Sequence, residues 1–168
     1  MIVALVIGIG VVVVLSKPFS GAKAAPTIDG IQCNAMEQLV FHNHAHLDIF
    51  INGQPYTIPG QIGIDAGRCI YWLHTHDDTG VIHIESPVAR QYTLGQFFDI
   101  WNKKFSNTQL LDNVANAKNT LSVYVNGSKV NAGMNYRDVK LNQHDQIAIV
   151  YGNAPINIPS KYSFANGL

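Results

Sequence analysis

The sequence predicts an α+β domain, built mainly of antiparallel β-sheet and hairpins with one principal helix. Three observations support this fold class. Apolar and polar residues alternate with the period of a strand over residues 39–52 and in several shorter runs. Asn-Gly pairs at 52–53 and 126–127 follow two of these runs, and Asn-Gly favours a two-residue hairpin turn. The helical period of 3.6 residues is clear only in the segment that follows Thr93.

Four strands are predicted before the helix. In the first, 39–52, the odd positions are mostly apolar and should be buried, whereas the even positions carry His42, His44, His46 and Asp48. The second strand, 56–58, returns after the Asn-Gly turn. Strands over 69–75 and 81–85 are joined by Asp77-Asp78-Thr79-Gly80, a typical turn sequence, so we expect them to pair as an antiparallel hairpin.

The helix is predicted over 94–105. Thr93 and Gln96 have the spacing of a capping box, and four large apolar side chains follow at helical spacing: Leu94, Phe97, Phe98 and Trp101. The Asn-rich stretch 102–119 is predicted to be a loop with one further helical turn. Strands at 121–127 and 147–151 come next, then an extended tail over 152–168. The order hairpin, helix, hairpin is similar to that of a β-grasp.

Residues 1–24 are predicted to be a signal peptide or an N-terminal membrane anchor, and 25–168 a single domain. Ile2 to Leu15 is an unbroken apolar stretch, and Ala22-Lys23-Ala24 has the small-x-small form of a signal-peptidase site. Both alternatives place the domain outside the cytoplasm, with membrane contact through this segment if it is not cleaved. The formal net charge is zero and no run of Lys or Arg occurs, which argues against nucleic-acid binding.

The chain has two cysteines, Cys33 and Cys69. In an oxidising compartment, the simplest expectation for two cysteines in a small domain is one disulfide. Each cysteine precedes a group of histidines, so a disulfide would tie the two histidine-bearing segments together. Thiolate metal ligands and a buried unpaired pair are the alternatives.

The histidines carry the functional prediction. Six of the seven fall in short groups, and within each group the spacing is two residues: His42, His44 and His46; His74 and His76; His83, with Glu85 two residues on. That spacing places the side chains of a group on one face of a strand, and neutral imidazole is the commonest protein ligand of transition metals. The seventh, His144, lies in a predicted turn and is interpreted as an ordinary surface residue.

Distances limit which histidines can share one ion. Residues two apart on a strand are about 6.6 Å apart and can hold one metal, whereas residues four apart are about 13 Å apart and cannot. We therefore favour two ligands from the first group, His44 and His46, joined by ligands from His74, His76 and His83. Four residues are further candidates, as ligands or as acceptors that orient an imidazole: His42, Glu85, Asp48 and Asp77. Asp77 also fits an ordinary turn residue.

Imidazole ligands with carboxylates nearby suit copper, zinc or iron, which we rank in that order because Cu(II) leads the affinity series. No Met or Cys lies within the histidine groups, which argues against a Cu(I) carrier or a blue-copper site.

Two resemblances bear on function. His44-x-His46, followed by Ile-Asn-Gly and Tyr-Thr-Ile-Pro-Gly, resembles the first motif of cupins, but the cupin glutamate and second motif are absent. The span from His44 to Trp101, with Leu-His-Thr-His-Asp at 73–77 and His-Ile-Glu-Ser-Pro at 83–87, resembles secreted or membrane-anchored, histidine-rich single-domain proteins of archaea and bacteria. The second resemblance implies an extracytoplasmic domain and no particular activity.

The sequence thus predicts an extracytoplasmic copper-binding protein, for metal delivery or as an accessory subunit of a membrane metalloenzyme or another membrane protein complex. The first alternative is a mononuclear enzyme in which three histidines hold zinc, copper or iron, similar in geometry to carbonic-anhydrase-type sites. The second is a surface or filament subunit whose histidines respond to pH.

Overall fold

The computed structural model describes residues 24–168. The predicted signal peptide or anchor therefore lies outside the described residues, except for Ala24. The described part has one α-helix, α1 (Leu94–Ile100), a short 3₁₀ helix (Tyr136–Asp138) and thirteen strands: β1 (Cys33–Asn34), β2 (Phe41–Ile51), β3 (Gln54–Tyr56), β4 (Ile64–Asp65), β5 (Cys69–Tyr71), β6 (Leu73–His74), β7 (Val81–Ser86), β8 (Phe105–Ser106), β9 (Gln109–Leu110), β10 (Asn113–Val114), β11 (Leu121–Val125), β12 (Ser128–Lys129) and β13 (Gln146–Tyr151). None of the helices in this range is long and apolar enough to span a membrane.

The main sheet has the order β12-β11-β13-β2-β7-β6, with β3 also paired to β2. Its long strand β2 pairs antiparallel with β7 through its first half and parallel with β13 through its second half. The predicted class, α+β with mainly β structure, is confirmed. The β-grasp-like order is not confirmed.

The alternation of β2 decides which side chains enter the core. Ala45, Leu47 and Ile49 are buried and belong to the same apolar cluster as Ile82 and Ile84 of β7 and the phenylalanines of α1. Because successive side chains of a strand point to opposite faces, the histidines lie on the other face of the sheet.

Both Asn-Gly turns form as predicted. Asn52 and Gly53 have φ of 52° and 81°, and Asn126 and Gly127 have φ of 51° and 79°, as a type I′ turn requires. Since the turn contains only two residues, Ile51 pairs directly with Gln54. The return strand therefore occupies Gln54–Tyr56 instead of 56–58.

The helix begins as predicted and ends early. Thr93 and Gln96 form the capping box, but Asn102 takes a left-handed conformation with φ of 55°. The N–H groups of Asn102 and Lys103 donate to the carbonyls of Asp99 and Phe98, which closes the helix with a Schellman motif. The prediction of 94–105 was too long, and the stretch 102–119 contains β8, β9 and β10 instead of a helical turn.

The predicted strand 69–75 is divided at Trp72. Its first part, β5, pairs with β1 and β4 in a separate small sheet, and its second part, β6, pairs with β7. The Cys33–Cys69 disulfide is confirmed, with the two Cα atoms 5.3 Å apart. It ties β1 to β5, immediately before the segment that carries His74 and His76.

Candidate metal centre

Strand register places three histidines in a row across the sheet. His44 of β2 lies opposite His83 of β7, and His74 of β6 lies opposite the same His83 from the other side. In the next row, His42 lies opposite Glu85. Neighbouring strands are about 4.8 Å apart, so imidazoles on one face come within reach of one another.

The turn between β6 and β7 holds these strands against β2. Gly80 has φ of 86°, and a Cβ atom there would lie 2.5 Å from the carbonyl oxygen of Leu47. The close approach therefore requires glycine.

The Asp77 carboxylate accepts a hydrogen bond from the N–H of Thr79 at 3.0 Å. Hydrogen bonds from Thr79 are the main reason that the pKa of Asp77 is lowered, so Asp77 serves the turn.

Six side chains form two overlapping groups that fit a metal ion. One contains His42 and His44, the other contains His74 and His76, and both include His83 and Glu85. Within each group, one donor atom from every residue lies within 4.8 Å of the others. The sequence prediction of a metal centre is thus supported in its general form, and both His42 and Glu85 are members of these groups.

His83 occupies the middle of the centre. Its ring centroid lies 4.6 Å from that of His44, 5.2 Å from that of His74 and 4.4 Å from that of His76. Its Nδ1 is 3.1 Å from His44 Nε2, and the Nε2 atoms of His74 and His76 are 3.2 Å apart. Two ligands bound at about 2.0–2.1 Å with angles of about 90–110° are roughly 2.9–3.4 Å apart, so both pairs have chelating separations.

Burial keeps the inner histidines neutral. Desolvation is the main cause that lowers the pKa of His44 to about 4, and the neighbouring His83 lowers it further. Desolvation also lowers the pKa of His74 to about 4, against the opposing influence of Glu85. Neutral imidazoles have a free ring lone pair at pH 7, which metal coordination requires.

Glu85 is the charged member of the centre. Burial by itself raises the pKa of Glu85, but a hydrogen bond with His83 and the electrostatic attraction of His74 and His42 in their protonated forms together outweigh burial and lower that pKa. The carboxylate is therefore ionised at neutral pH. One of its oxygens, Oε1, lies 3.2 Å from His83 Nδ1, 3.4 Å from His42 Nε2 and 4.0 Å from His74 Nε2.

Two buried atoms of the centre have no hydrogen-bond partner: Oε2 of Glu85 and Nδ1 of His44. A buried polar atom left without a partner costs about 1–3 kcal/mol, and more when the group is charged. A cation bound to the carboxylate would offset this cost at Glu85, so the orphaned oxygen fits a metal ligand.

Each group reaches solvent through one histidine. The side chain of His42 is 39% exposed and that of His76 is 43% exposed, whereas that of Glu85 is only 4% exposed. Glu37 contacts the exposed end of the second group, with Oε1 3.3 Å from His76 Nε2. The sequence prediction missed Glu37 because it lies in an irregular segment with no periodic pattern.

His46, which the sequence favoured as a ligand, lies outside both groups. Its Nδ1 is 2.9 Å from Gln146 Oε1 and its Nε2 is 2.8 Å from the carbonyl oxygen of Thr79. The physical reason is the strand register: His46 lies opposite Val81, and its other neighbour is Gln146 of the parallel strand β13.

Asp48 also lies outside the groups. Its carboxylate accepts a hydrogen bond from the Gln146 amide at 2.9 Å.

His144 occupies a left-handed turn position with φ of 62° and stacks on Phe164 in the C-terminal segment. The expectation that His144 is a surface turn residue agrees with these contacts. It therefore offers a control position for variants of the metal centre.

No model of a protein family matches this chain, and neither a curated protein nor a solved structure shows significant similarity to it.

Proposed function

We propose that this protein binds a transition-metal ion, copper in the first place, at the six-residue histidine and glutamate centre, outside the cytoplasm. Its role is to deliver the metal or to act as an accessory subunit of a membrane metalloenzyme. The observation that carries the proposal is the meeting of imidazoles from β2, β6 and β7 around His83, with ring nitrogens at chelating separations.

The donor set supports copper or zinc. Each group offers three imidazoles and one carboxylate, a combination that suits Cu(II) and Zn(II) and lacks the thiolate or thioether that favours Cu(I). At equal availability Cu(II) binds such sites more tightly than Zn(II) or Fe(II), which gives the ranking copper, zinc, iron.

Ligand number favours binding over catalysis. A catalytic zinc site usually has three protein ligands and one open position, whereas four protein ligands saturate a tetrahedral ion. Each group here has four candidate ligands. The pH-responsive alternative expected imidazoles too far apart to chelate, and contacts of 3.1 and 3.2 Å between ring nitrogens argue against it.

The setting supports an extracytoplasmic role. The Cys33–Cys69 disulfide fits an oxidising compartment. Beside the centre, the segment that carries Glu37 exposes three large apolar side chains: Met36, Leu39 and Val40. Exposed apolar side chains next to solvent-accessible ligands fit a surface for the membrane protein that receives the metal.

Elemental analysis of natively purified protein tests the proposal. We expect bound copper in the wild type, and a loss of metal affinity of at least about 100-fold in His83→Gln, since loss of even an outer hydrogen-bond partner costs about 10–100-fold.

His46→Gln and His144→Gln are matched controls, because both remove a histidine outside the groups and should retain the metal. Circular dichroism of each variant distinguishes ligand loss from unfolding. If His83→Gln remains folded and keeps the metal content of the wild type, the site assignment is wrong.

A further inference from the structure

We infer that the centre holds two metal ions bridged by Glu85. One is bound on the side of His42 and His44, and the other on the side of His74 and His76. This inference rests on the proposed metal-binding function and adds the number of ions and the role of the carboxylate.

The arrangement of the donor atoms supplies the first argument. Bonds of about 2.0–2.2 Å allow two ligands of one ion to be no more than about 4.4 Å apart. The four outer histidines divide into two pairs, and among residues 24–168 each pair forms a compact group with His83 and Glu85. A single ion therefore uses one pair. The other pair, whose ring nitrogens are already close together, would then have no function.

Glu85 supplies the second argument. Its Oε1 lies within 4.0 Å of a ring nitrogen from each pair, His42 Nε2 at 3.4 Å and His74 Nε2 at 4.0 Å. Its second oxygen is buried and has no hydrogen-bond partner. Because Oε1 faces both pairs, this oxygen can bridge two ions, which in two-metal sites are about 3.5–4 Å apart, and Oε2 can add a second bond to either ion.

Repulsion between the two bound ions should make the second ion bind more weakly than the first. Two dications repel each other strongly at such a separation, and the imidazoles are neutral ligands. Glu85 compensates one charge, and Glu37, which lies 3.3 Å from His76 Nε2, places a second carboxylate beside the outer end of one site. Four ligands saturate a group that holds one ion, but two ions must share His83 and Glu85. Solvent reaches both His42 and His76, so hydroxide from water can supply the further ligand and a further negative charge. The second ion should therefore bind at least about tenfold more weakly than the first.

Titration of the purified, metal-free chain with Cu(II) tests this inference. We expect two equivalents to bind in two steps. The electron paramagnetic resonance signal should be that of isolated Cu(II) after one equivalent, and should lose intensity through magnetic coupling after the second. His42→Gln and His76→Gln should each retain one uncoupled equivalent, while His144→Gln should behave as wild type.

The single-ion alternative gives a different pattern. One equivalent in the wild type, with only one of the His42→Gln and His76→Gln variants affected, would overturn the two-ion inference and leave the proposed function intact. Two equivalents without magnetic coupling would overturn the bridge. No bound copper or zinc in the folded wild type would overturn the proposed function as well. Since His42 and His76 are exposed, their replacement should leave the fold unchanged, which circular dichroism checks.

Discussion

At the scale of the residue, identical side chains have different chemistry because their neighbours differ. His44 and His46 lie two positions apart on one face of β2, and both are buried. His46 has a protein hydrogen-bond partner at each ring nitrogen, whereas Nδ1 of His44 has none. A buried histidine is the better ligand candidate where one ring nitrogen faces another candidate ligand, as His44 Nε2 faces His83 Nδ1 at 3.1 Å.

The lowered pKa values of His44 and His74 predict acid sensitivity of the metal-free protein. Each value falls from 6.5 to about 4 on folding. Above pH 6.5 both histidines are neutral in the folded and in the unfolded chain, so the free energy of unfolding has its full value with respect to these two groups. Between pH 6.5 and 4 the unfolded chain binds protons that the folded chain does not, so the free energy of unfolding falls by up to about 1.4 kcal/mol per pH unit for each histidine.

Urea unfolding of metal-free protein at pH 7 and pH 5 measures this effect. His44→Gln and His74→Gln should each reduce the difference between the two pH values, while His144→Gln should change it least, because His144 has the smallest influence on the pKa of His44. A wild-type protein equally stable at both pH values would contradict the prediction.

At the scale of the element, the centre depends on where a strand is divided. Trp72 separates β5, which pairs with β1 and β4, from β6, which pairs with β7. The side chain of Trp72 donates to Asn34 in β1, and its carbonyl oxygen accepts from the N–H of Glu85 at 2.8 Å. The small disulfide-bonded sheet is thereby connected directly to the metal-binding face.

Loss of the disulfide should therefore weaken both the fold and the site. Cys33 and Cys69 are 36 positions apart in sequence, and closing a loop of this length stabilises a protein by about 3–4 kcal/mol on the chain-entropy model. We expect the double variant Cys33→Ser with Cys69→Ser to lose about this much free energy of unfolding and to bind metal more weakly through His74 and His76.

Urea unfolding and metal titration of the double variant, beside wild type with and without reductant, test this expectation. Wild-type metal affinity in a destabilised double variant would show that β6 holds its position without the disulfide.

At the scale of the whole molecule, the last strand and the C-terminal segment complete the histidine face. β13 pairs parallel with β2, which brings Gln146 beside His46. Further along, Tyr162 returns and stacks on His46, with ring centroids 3.7 Å apart and an interplanar angle of 8°. These contacts give His46 a structural role, separate from the metal centre.

Tyr162→Ala tests this separation. Aromatic pairs contribute about 0.5–1.5 kcal/mol beyond the area they bury, so the variant should lose about 1 kcal/mol of stability. Its metal content and affinity should equal those of the wild type. Reduced metal affinity would show that His46 or the C-terminal segment takes part in binding.

The sequence by itself determined the local features of this protein. The alternation in β2, the two Asn-Gly turns, the capping box of α1, the pairing of the two short His-bearing strands and the disulfide all follow from contacts between near neighbours or from the only two cysteines. Only the tertiary structure decided which histidines meet. The parallel partner of β2 lies about a hundred residues away, and sequence periodicity carries no information on which strand lies beside which. Register assigned His42 and Glu85 to the centre and His46 to a structural position, because His42 and His44 lie opposite Glu85 and His83 of β7, whereas His46 lies opposite Val81 and beside Gln146 of β13.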